Sequence, residues 1–221
     1  MKLKIYLFRH GQTYFNRDHR FTGWKDSKLT PQGIKDAKKV ALKLKNKKFQ
    51  VAYQTRLSRS KDTLKPVLKY HPECKEIITD DRMIERSYGK LQGQSHTGFV
   101  DRVGEKAYDV IEEGDVIDDF APSVREKVED LIGKAELQII RRSYDVPPPG
   151  GESVKDVEKR VKSFLKDLLK KMKKEKVNVA ISAHGNSMRP FRRYFEKLTI
   201  KQMMKLENPW DDYFEYSVDV K

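Results

Sequence analysis

Short apolar runs of strand length recur along the chain, separated by longer segments of mixed character. Residues 3–8, 51–53 and 177–182 form such runs, which are typical of buried strands. Ile77-Ile78 begins a further candidate strand, and residues 214–220 are predicted to form an edge strand. The pattern indicates a central sheet whose inner strands are apolar almost throughout, as in parallel sheets.

The segments between these runs have helical periodicity. Thr30-Pro31 supplies the residue types preferred at the N-cap and the first position of a helix. A second helix is predicted over residues 58–70, and Ser153 with Asp156 has the pattern of a capping box that opens a third. On the first and third helices the apolar positions expected to face a core are Ile34, Ala37, Ala41 and Leu44, and then Val157, Val161, Phe164, Leu165 and Leu168.

This alternation of strands and helices predicts an α/β fold, a three-layer α/β/α sandwich with a mostly parallel central sheet. No Gly/Ser-rich linker and no internal repeat divides the 221 residues, so we expect one domain over residues 1–221. Residues 15–29 lack periodicity and are predicted to be a loop. Residues 98–142 are interpreted as a helical lid insertion that packs over the functional site. This insertion is punctuated by Gly104, Gly114, Pro122 and Gly133.

The chain is strongly basic, with 47 Lys and Arg against 33 Asp and Glu and a net charge of +14. Its lysines fall in runs at residues 43–48 and 170–174, near the C-terminal ends of predicted helices, where cations suit the helix dipole. No nucleic-acid-binding motif accompanies the charge, so we expect solvated helix faces and no nucleic-acid partner. The positive potential favours small anionic substrates.

The remaining composition constrains the setting of the protein. No stretch approaches the roughly 20 apolar residues of a membrane span, so no membrane partner is expected. Cys74 is the only cysteine, which rules out an internal disulfide and fits a reducing, cytoplasmic location. The sequence leaves a homo-oligomer open.

Two strings carry the candidate chemistry. Arg9-His10-Gly11 follows the first predicted strand and Ala183-His184-Gly185 follows another, so each histidine is expected at the carboxyl end of a strand. Neighbouring parallel strands bring such ends into one crevice, where open α/β sheets bind ligands. Arg9 offers a planar fork of donors suited to phosphate or carboxylate. Two histidines with an arginine and no thiol favour phosphoryl transfer through a phosphohistidine, with His10 as the nucleophile.

A structural role for each histidine is the alternative, because a single histidine at a strand end is more often a buried hydrogen-bonding group than a nucleophile. Two of the five histidines share the same strand–His–Gly context, which favours the catalytic interpretation. His19, His71 and His96 are expected at ordinary surface or loop positions.

Further strings extend a resemblance to a known family over residues 3 to about 200. The string Leu7-Phe8-Arg9-His10-Gly11-Gln12-Thr13 resembles the histidine phosphatase superfamily. Within that superfamily the cofactor-dependent phosphoglycerate mutases are the most similar group, on strings that together are more specific. These strings are Asn16, Arg20-Phe21-Thr22-Gly23-Trp24, Leu29-Thr30-Pro31-Gln32-Gly33, Glu85-Arg86-Ser87-Tyr88-Gly89-Lys90-Leu91-Gln92-Gly93, Arg141-Arg142-Ser143-Tyr144-Asp145-Val146-Pro147-Pro148-Pro149 and Ala183-His184-Gly185-Asn186-Ser187-Met188-Arg189.

The resemblance implies a role for each matched residue. His10 would be phosphorylated, with Arg9, Arg59 and His184 around the transferring phosphoryl group, and Glu85 would act as general acid and base. The substrate-binding residues would be Asn16, Thr22, Gly23, Tyr88, Arg141, Arg142, Gly185 and Asn186. The family also implies interconversion of 3- and 2-phosphoglycerate in glycolysis and gluconeogenesis, 2,3-bisphosphoglycerate as the phosphoryl primer, and no metal.

From the residues alone, other interpretations stay open. Without the family match, Arg59 on a helix is better interpreted as a surface cation. Glu85 is open to interpretation as an exposed partner of Arg86, and Arg141-Arg142 as part of a general basic surface. Trp24 is expected to be a packing residue.

Two positions depart from the family pattern. His96 stands where the family usually has lysine, and Gly150-Gly151-Glu152-Ser153 follows closely on Asp145, a junction that resembles the phosphatase branch. A phosphatase of small phosphomonoesters is therefore the alternative activity, and a non-enzymatic basic interaction module is a more distant one.

Overall fold

A five-stranded sheet forms the centre of the computed structural model, which describes residues 1–113 and 121–220. Its strands are β1 (Lys2–Arg9), β2 (Val51–Gln54), β3 (Glu76–Thr79), β4 (Val179–Ala183) and β5 (Tyr213–Asp219). They lie in the order β3-β2-β4-β1-β5. The last strand lies at the edge of the sheet, as predicted. All neighbouring pairs are parallel except β1 and β5, which are antiparallel.

Eight α-helices occur in the described residues. They are α1 (Tyr14–Arg17), α2 (Pro31–Leu44), α3 (Ser58–Leu68), α4 (His96–Glu113), α5 (Pro122–Arg142), α6 (Val154–Glu175), α7 (Gly185–Glu196) and α8 (Ile200–Met204). The side chains of Thr30 and Ser153 cap α2 and α6 as predicted. Asp81–Met83 and Gly89–Leu91 form two short 3-10 helices. None of the described helices is both long and apolar enough to cross a bilayer.

Helices cover both faces of the sheet, which confirms the predicted α/β fold with a mostly parallel sheet. Side chains alternate along β1, because successive residues of a strand point to opposite faces. Ile5 and Leu7 pack in one core with α6 and α7, whereas Tyr6 and Phe8 pack in another with α2 and α3.

Helices α4 and α5 form the segment predicted as an insertion, and their glycines have a different role from the one expected. Gly104 and Gly133 lie inside continuous helices and do not interrupt them. A Cβ at Gly104 would run into the backbone of Glu129, and one at Gly133 into that of Val100. The two antiparallel helices therefore cross in close contact at these glycines. Gly114 lies outside the described residues.

Three other expectations are wrong in detail. Residues 15–29 are not all loop, since α1 begins at Tyr14 with a capping box between Thr13 and Asn16. Ile34 is 48% exposed, and Val40 takes its place among the buried residues of α2. His71 is buried, because its ring packs on Phe49 at a centroid distance of 4.2 Å.

The sheet order explains why the two histidine strings meet. β1 and β4 are adjacent, with Arg9 paired to Ala183 across the ladder. His10 and His184 are the next residues along the two strands, so they emerge side by side at the same edge of the sheet.

Candidate active site

A cavity of about 350 Å³ opens at the carboxyl ends of the strands. Ten of the thirteen predicted site residues line it: Arg9, Asn16, Thr22, Gly23, Glu85, Tyr88, Arg141, Arg142, Gly185 and Asn186. The other three, His10, Arg59 and His184, are almost fully buried beside it. The ligand atoms of His10, Glu85 and His184 lie within 4.8 Å of one another. The structure thus brings the predicted residues together; the role of each stays a prediction.

His10 is held in the form that a nucleophile needs. Its Nδ1 lies 2.8 Å from the carbonyl oxygen of Gly11. A carbonyl only accepts hydrogen bonds, so Nδ1 carries the proton and Nε2 keeps its lone pair. Burial, and then the charges of Arg59 and Arg9, lower the pKa of His10 well below its usual value. The ring is therefore neutral at physiological pH, with Nε2 available to attack phosphorus.

His184 lies against His10, with the ring centroids 5.0 Å apart. Its Nε2 is 2.8 Å from the hydroxyl of Thr55, which follows the neighbouring strand β2. Burial, followed by the charge of Arg59, also lowers the pKa of His184 well below its usual value. Both imidazoles are thus uncharged, and the arginines supply the fixed positive charge.

Arg9, on the wall of the cavity, and Arg59, buried beside it, supply that charge. Arg59 has no exposed surface and donates to the carbonyl oxygens of Gly23 (2.7 Å) and Lys25 (3.0 Å). Burial lowers the pKa of Arg59 to about 10, so it stays protonated at neutral pH. The Nε atoms of both arginines are buried without a partner among the described residues. Buried unpaired donors of this kind suit an anion such as a phosphoryl group.

The Glu85 carboxylate is fixed at the start of α7. Its Oε1 accepts hydrogen bonds from the backbone N–H groups of Asn186 (3.0 Å) and Arg86 (2.9 Å). Asn186 is in the first turn of α7, where N–H groups have no partner within the helix and the dipole favours negative charge. Neither Glu85 nor Arg86 is exposed, so they do not form the surface ion pair that the sequence left open.

The outer part of the cavity is also basic. Arg141 and Arg142 line the cavity from the last turn of α5, and Tyr88 lines it as well. His96, at the start of α4, lines the same end, but burial and the nearby Arg141 lower the pKa of His96 to about 4. An uncharged His96 cannot replace the charge of a lysine there, so the arginines carry the positive charge of this corner.

Several cavity residues were not predicted. Arg189 of α7 is 8% exposed and lines the cavity, fixed by Leu206 O and by the side chain of Asn186. The segment 206–210 supplies Asn208, whose carbonyl oxygen accepts from Arg9 at 3.0 Å, and Trp210, whose ring lies 4.9 Å from the Arg9 guanidinium. No periodicity or motif marks this segment in the sequence, and its position depends on the path of the chain after α8.

Trp24 does more than pack. Its indole N–H donates to the carbonyl oxygen of Glu85 at 2.8 Å, although the residue is 40% exposed. His19 is an exposed turn residue, as expected, but it also lines the cavity, beside Arg20 and Phe21. The expectation of a surface or loop position is wrong for His96, which is half-buried at the start of α4.

The cluster of His10, Glu85 and His184 has the spacing of a metal site as well as that of a phosphoryl-transfer site. Two imidazoles and a carboxylate are ligands that Zn²⁺ accepts. The adjacent Arg9 and Arg59 are cations, which repel a metal ion and attract an anion. The charge around the cluster favours the anion.

Comparison with known proteins shows the family and the fold of the chain. The family model of the histidine phosphatase superfamily (branch 1) matches residues 5–136 and 122–213. Two relatives are named 2,3-bisphosphoglycerate-dependent phosphoglycerate mutase. The one from Methanococcus vannielii is 31% identical and that from Parvibaculum lavamentivorans 35%, each alignment covering 98% of this chain and 91% of the relative.

A solved structure, that of a mycobacterial glucosyl-3-phosphoglycerate phosphatase, has the same fold with a TM-score of 0.69. It is 20% identical in sequence, and the match covers 98% of this chain and 91% of that one. The chain belongs to branch 1 of the histidine phosphatase superfamily.

Proposed function

We propose that this protein is a 2,3-bisphosphoglycerate-dependent phosphoglycerate mutase, which interconverts 3- and 2-phosphoglycerate through a phosphohistidine at His10. The observation that carries the proposal is a second group of arginines in the cavity that lies beside the nucleophile. The charges of Arg9 and Arg59 act on His10, whereas Arg141, Arg142 and Arg189 line the cavity farther from His10, with Arg189 near both Arg9 and Arg142. A hydrolase of simple monophosphates needs only Arg9 and Arg59. A mutase must also retain an intermediate that carries a second phosphate.

The residues support the following course. The Nε2 lone pair of His10 forms a bond to phosphorus as the P–O bond to the donor breaks, and Glu85 gives its proton to the leaving oxygen. Glu85 later takes the proton from the hydroxyl group that attacks the phosphohistidine. Arg9, Arg59 and neutral His184 surround the phosphoryl group throughout, because phosphoryl transfer depends chiefly on positioning and electrostatic stabilisation.

The unpaired Nε donors of Arg9 and Arg59, and the arginines farther out, fit a bisphosphate such as 2,3-bisphosphoglycerate. This molecule would supply the first phosphoryl group to His10. No metal takes part in the proposed course, and the partner is a small phosphorylated molecule, with no role for nucleic acid. The two mutase relatives support a setting in cytoplasmic glycolysis and gluconeogenesis.

A phosphatase is the second candidate, in which water attacks the phosphohistidine. Two observations favour it: the fold is shared with a solved phosphatase, and His96, at the corner where the family usually has lysine, is uncharged at neutral pH. The choice depends on whether the outer arginines retain the intermediate for longer than water needs to reach His10.

One experiment separates the two activities. The purified protein is given 3-phosphoglycerate with and without 2,3-bisphosphoglycerate, and 2-phosphoglycerate and free phosphate are measured in the same reaction. We expect 2-phosphoglycerate to form much faster than phosphate, and only when the bisphosphate is present. Faster release of phosphate would replace the mutase with the phosphatase.

A matched pair of arginine variants sharpens the test. Arg142→Ala removes a charged partner of the bound intermediate. Loss of one such partner weakens binding of the intermediate roughly ten- to a hundred-fold. It should lower mutase flux while phosphate release per turnover rises. Arg102→Ala, which removes an arginine of α4 that bonds Gln94 and does not line the cavity, should change neither rate.

A further inference from the structure

Glu85 lies in a connection without regular structure. Ile84 and Tyr88 only cap the two 3-10 helices, and residues 85–87 between them belong to no helix or strand. A carboxylate that transfers protons must be held within a fraction of an ångström, and displacement by about 1 Å costs on the order of a hundred-fold in rate. Something outside the connection must therefore hold it in place.

Arg160, on helix α6, holds this connection with its whole guanidinium group. Nη1 donates to the carbonyl oxygens of Arg82 (2.7 Å) and Ile84 (2.9 Å), and Nη2 donates to that of Glu85 (3.0 Å). Nε and Nη2 also donate to the two carboxylate oxygens of Glu152, at 2.9 and 3.0 Å. All five N–H groups of the guanidinium are used, and three of them end on the backbone around Glu85.

Glu152 holds the other side of the same connection. Its Oε2 accepts from the backbone N–H of Ser87 at 2.9 Å, and its own backbone N–H donates to the Ser87 carbonyl at 3.0 Å. The side chains of Glu152 and Arg160 are only 19% and 17% exposed. A bidentate pair with this little exposure is more rigid than a surface ion pair.

We propose that Arg160 and Glu152 are positioning residues. They hold the Glu85 carboxylate in the position from which it transfers protons, without touching the substrate. The proposal rests on the proposed function, in which Glu85 transfers protons. It differs from a role in stability alone, because the hydrogen bonds of the pair converge on residues 82–87, the segment that carries Glu85.

The first test measures the position of Glu85 without using activity. The N–H groups of Arg86 and Asn186 both donate to Glu85 Oε1, so their hydrogen exchange reports whether the carboxylate stays in place. In Arg160→Met both amides should exchange at least about tenfold faster than in the wild type, since opening of the connection exposes them to water. Unchanged exchange would overturn the proposal whatever the enzyme catalyses.

The second test separates proton transfer from the rest of the chemistry. Transfer from 2,3-bisphosphoglycerate to His10 releases an alkoxide that needs the Glu85 proton, whereas p-nitrophenyl phosphate releases a phenolate that needs none. First-turnover phosphorylation of His10 by the bisphosphate should fall about 10- to 100-fold in Arg160→Met. The rate with p-nitrophenyl phosphate should change less than about threefold, because proton donation is the step that is impaired.

Two further variants give graded effects. Arg160→Lys keeps the charge but loses the planar fork, and Glu152→Gln keeps the size but loses the charge. The measured quantity is the rate with 2,3-bisphosphoglycerate divided by the rate with p-nitrophenyl phosphate. For both variants this ratio should fall between the ratios of the wild type and Arg160→Met, so the proposal can be tested even if Arg160→Met folds poorly. A ratio equal to that of the wild type in both would contradict the pairing.

Arg193→Met is the matched control. Arg193 of α7 is a partly buried arginine that pairs with Glu158 of α6 and donates to the carbonyl oxygen of Leu198, and among the described residues it has no hydrogen bond or ion pair with residues 82–87. It should lose comparable stability yet leave exchange at Arg86 and Asn186, and the ratio of rates, unchanged. An equal change in the control would show that the effect is general destabilisation.

Glu85→Gln distinguishes failure of this proposal from failure of the proposed function. If Glu85→Gln slows both phosphoryl donors equally, Glu85 is not the proton donor and the proposed mechanism is wrong, while the exchange test still decides the positioning. If Glu85→Gln is selective for the bisphosphate and Arg160→Met is not, the mechanism stands and the positioning proposal is wrong.

Discussion

The crossing of α4 and α5 allows a quantitative prediction about the helices that carry the outer arginines. An alanine Cβ at Gly133 would lie 2.8 Å from the carbonyl carbon of Val100, and one at Gly104 would lie 2.6 Å from that of Glu129. Ordinary contact begins at 3.4 Å, so the helices must separate by at least 0.6 Å in Gly133→Ala and 0.8 Å in Gly104→Ala.

The expected cost follows from two opposing effects. Overpacking of this kind costs about 1 to 3 kcal/mol, because backbone cannot give way as a flexible side chain does. Alanine recovers up to about 1 kcal/mol through its higher helix propensity. We therefore expect each variant to lose about 1 to 2 kcal/mol in free energy of unfolding, which lowers the Tm by roughly 2 to 8 °C for a chain of this size.

Urea denaturation measures the free energy of unfolding of each variant, and steady-state kinetics measure its KM for 3-phosphoglycerate. The KM should rise in both variants because α5 carries Arg141 and Arg142 to the cavity. Gly98→Ala is the matched control on α4, since its Cβ would meet only the Ser95 hydroxyl oxygen, at 3.0 Å. It should be as stable as the wild type or slightly more so. If Gly133→Ala were as stable as Gly98→Ala, the close crossing of the two helices would be refuted.

Three further predictions follow from the site. The pKa values of His10 and His184 lie below 6.5 in the folded chain, so below that pH the unfolded chain binds more protons than the folded chain. The urea midpoint of the wild type should therefore fall as the pH drops below 6.5. The midpoint of His10→Gln should fall less steeply. Equal pH dependence in wild type and variant would contradict the burial of a neutral His10. Mutase activity should survive prolonged treatment with EDTA, and loss that only a divalent ion reverses would contradict a metal-free mechanism. Arg189→Ala should raise the KM for 3-phosphoglycerate about tenfold or more, as expected for loss of one charged hydrogen bond, and an unchanged KM would exclude Arg189 from substrate binding.

Local patterns predicted those parts of the fold that depend on local chemistry. The caps of α2 and α6, the buried face of α6 and the edge strand β5 follow from residue types at fixed spacing. The prediction that Gly104 and Gly133 interrupt the helices is wrong. The sequence alone does not distinguish a glycine that ends a helix from one that allows a second helix to pack closely against the first.

The predicted site residues come from strand ends and from family motifs, and the structure brings them to one cavity. Arg189 and Asn208 were missed for different reasons. Arg189 stands within a recognised motif but was given no role, since only the fold shows that its side of α7 faces the cavity. Asn208 reaches Arg9 across 199 residues of sequence, and no local pattern reports a contact of that range.

The central claim, a phosphoryl group carried on His10, is tested most directly by labelling. The protein is incubated with 2,3-bisphosphoglycerate carrying labelled phosphate, and the product is digested and mapped. We expect one acid-labile, base-stable phosphoryl group per chain, on Nε2 of His10, and none in His10→Ala, while Cys74→Ala labels like the wild type. Equal labelling of His10→Ala, or a label on another residue, would contradict the account.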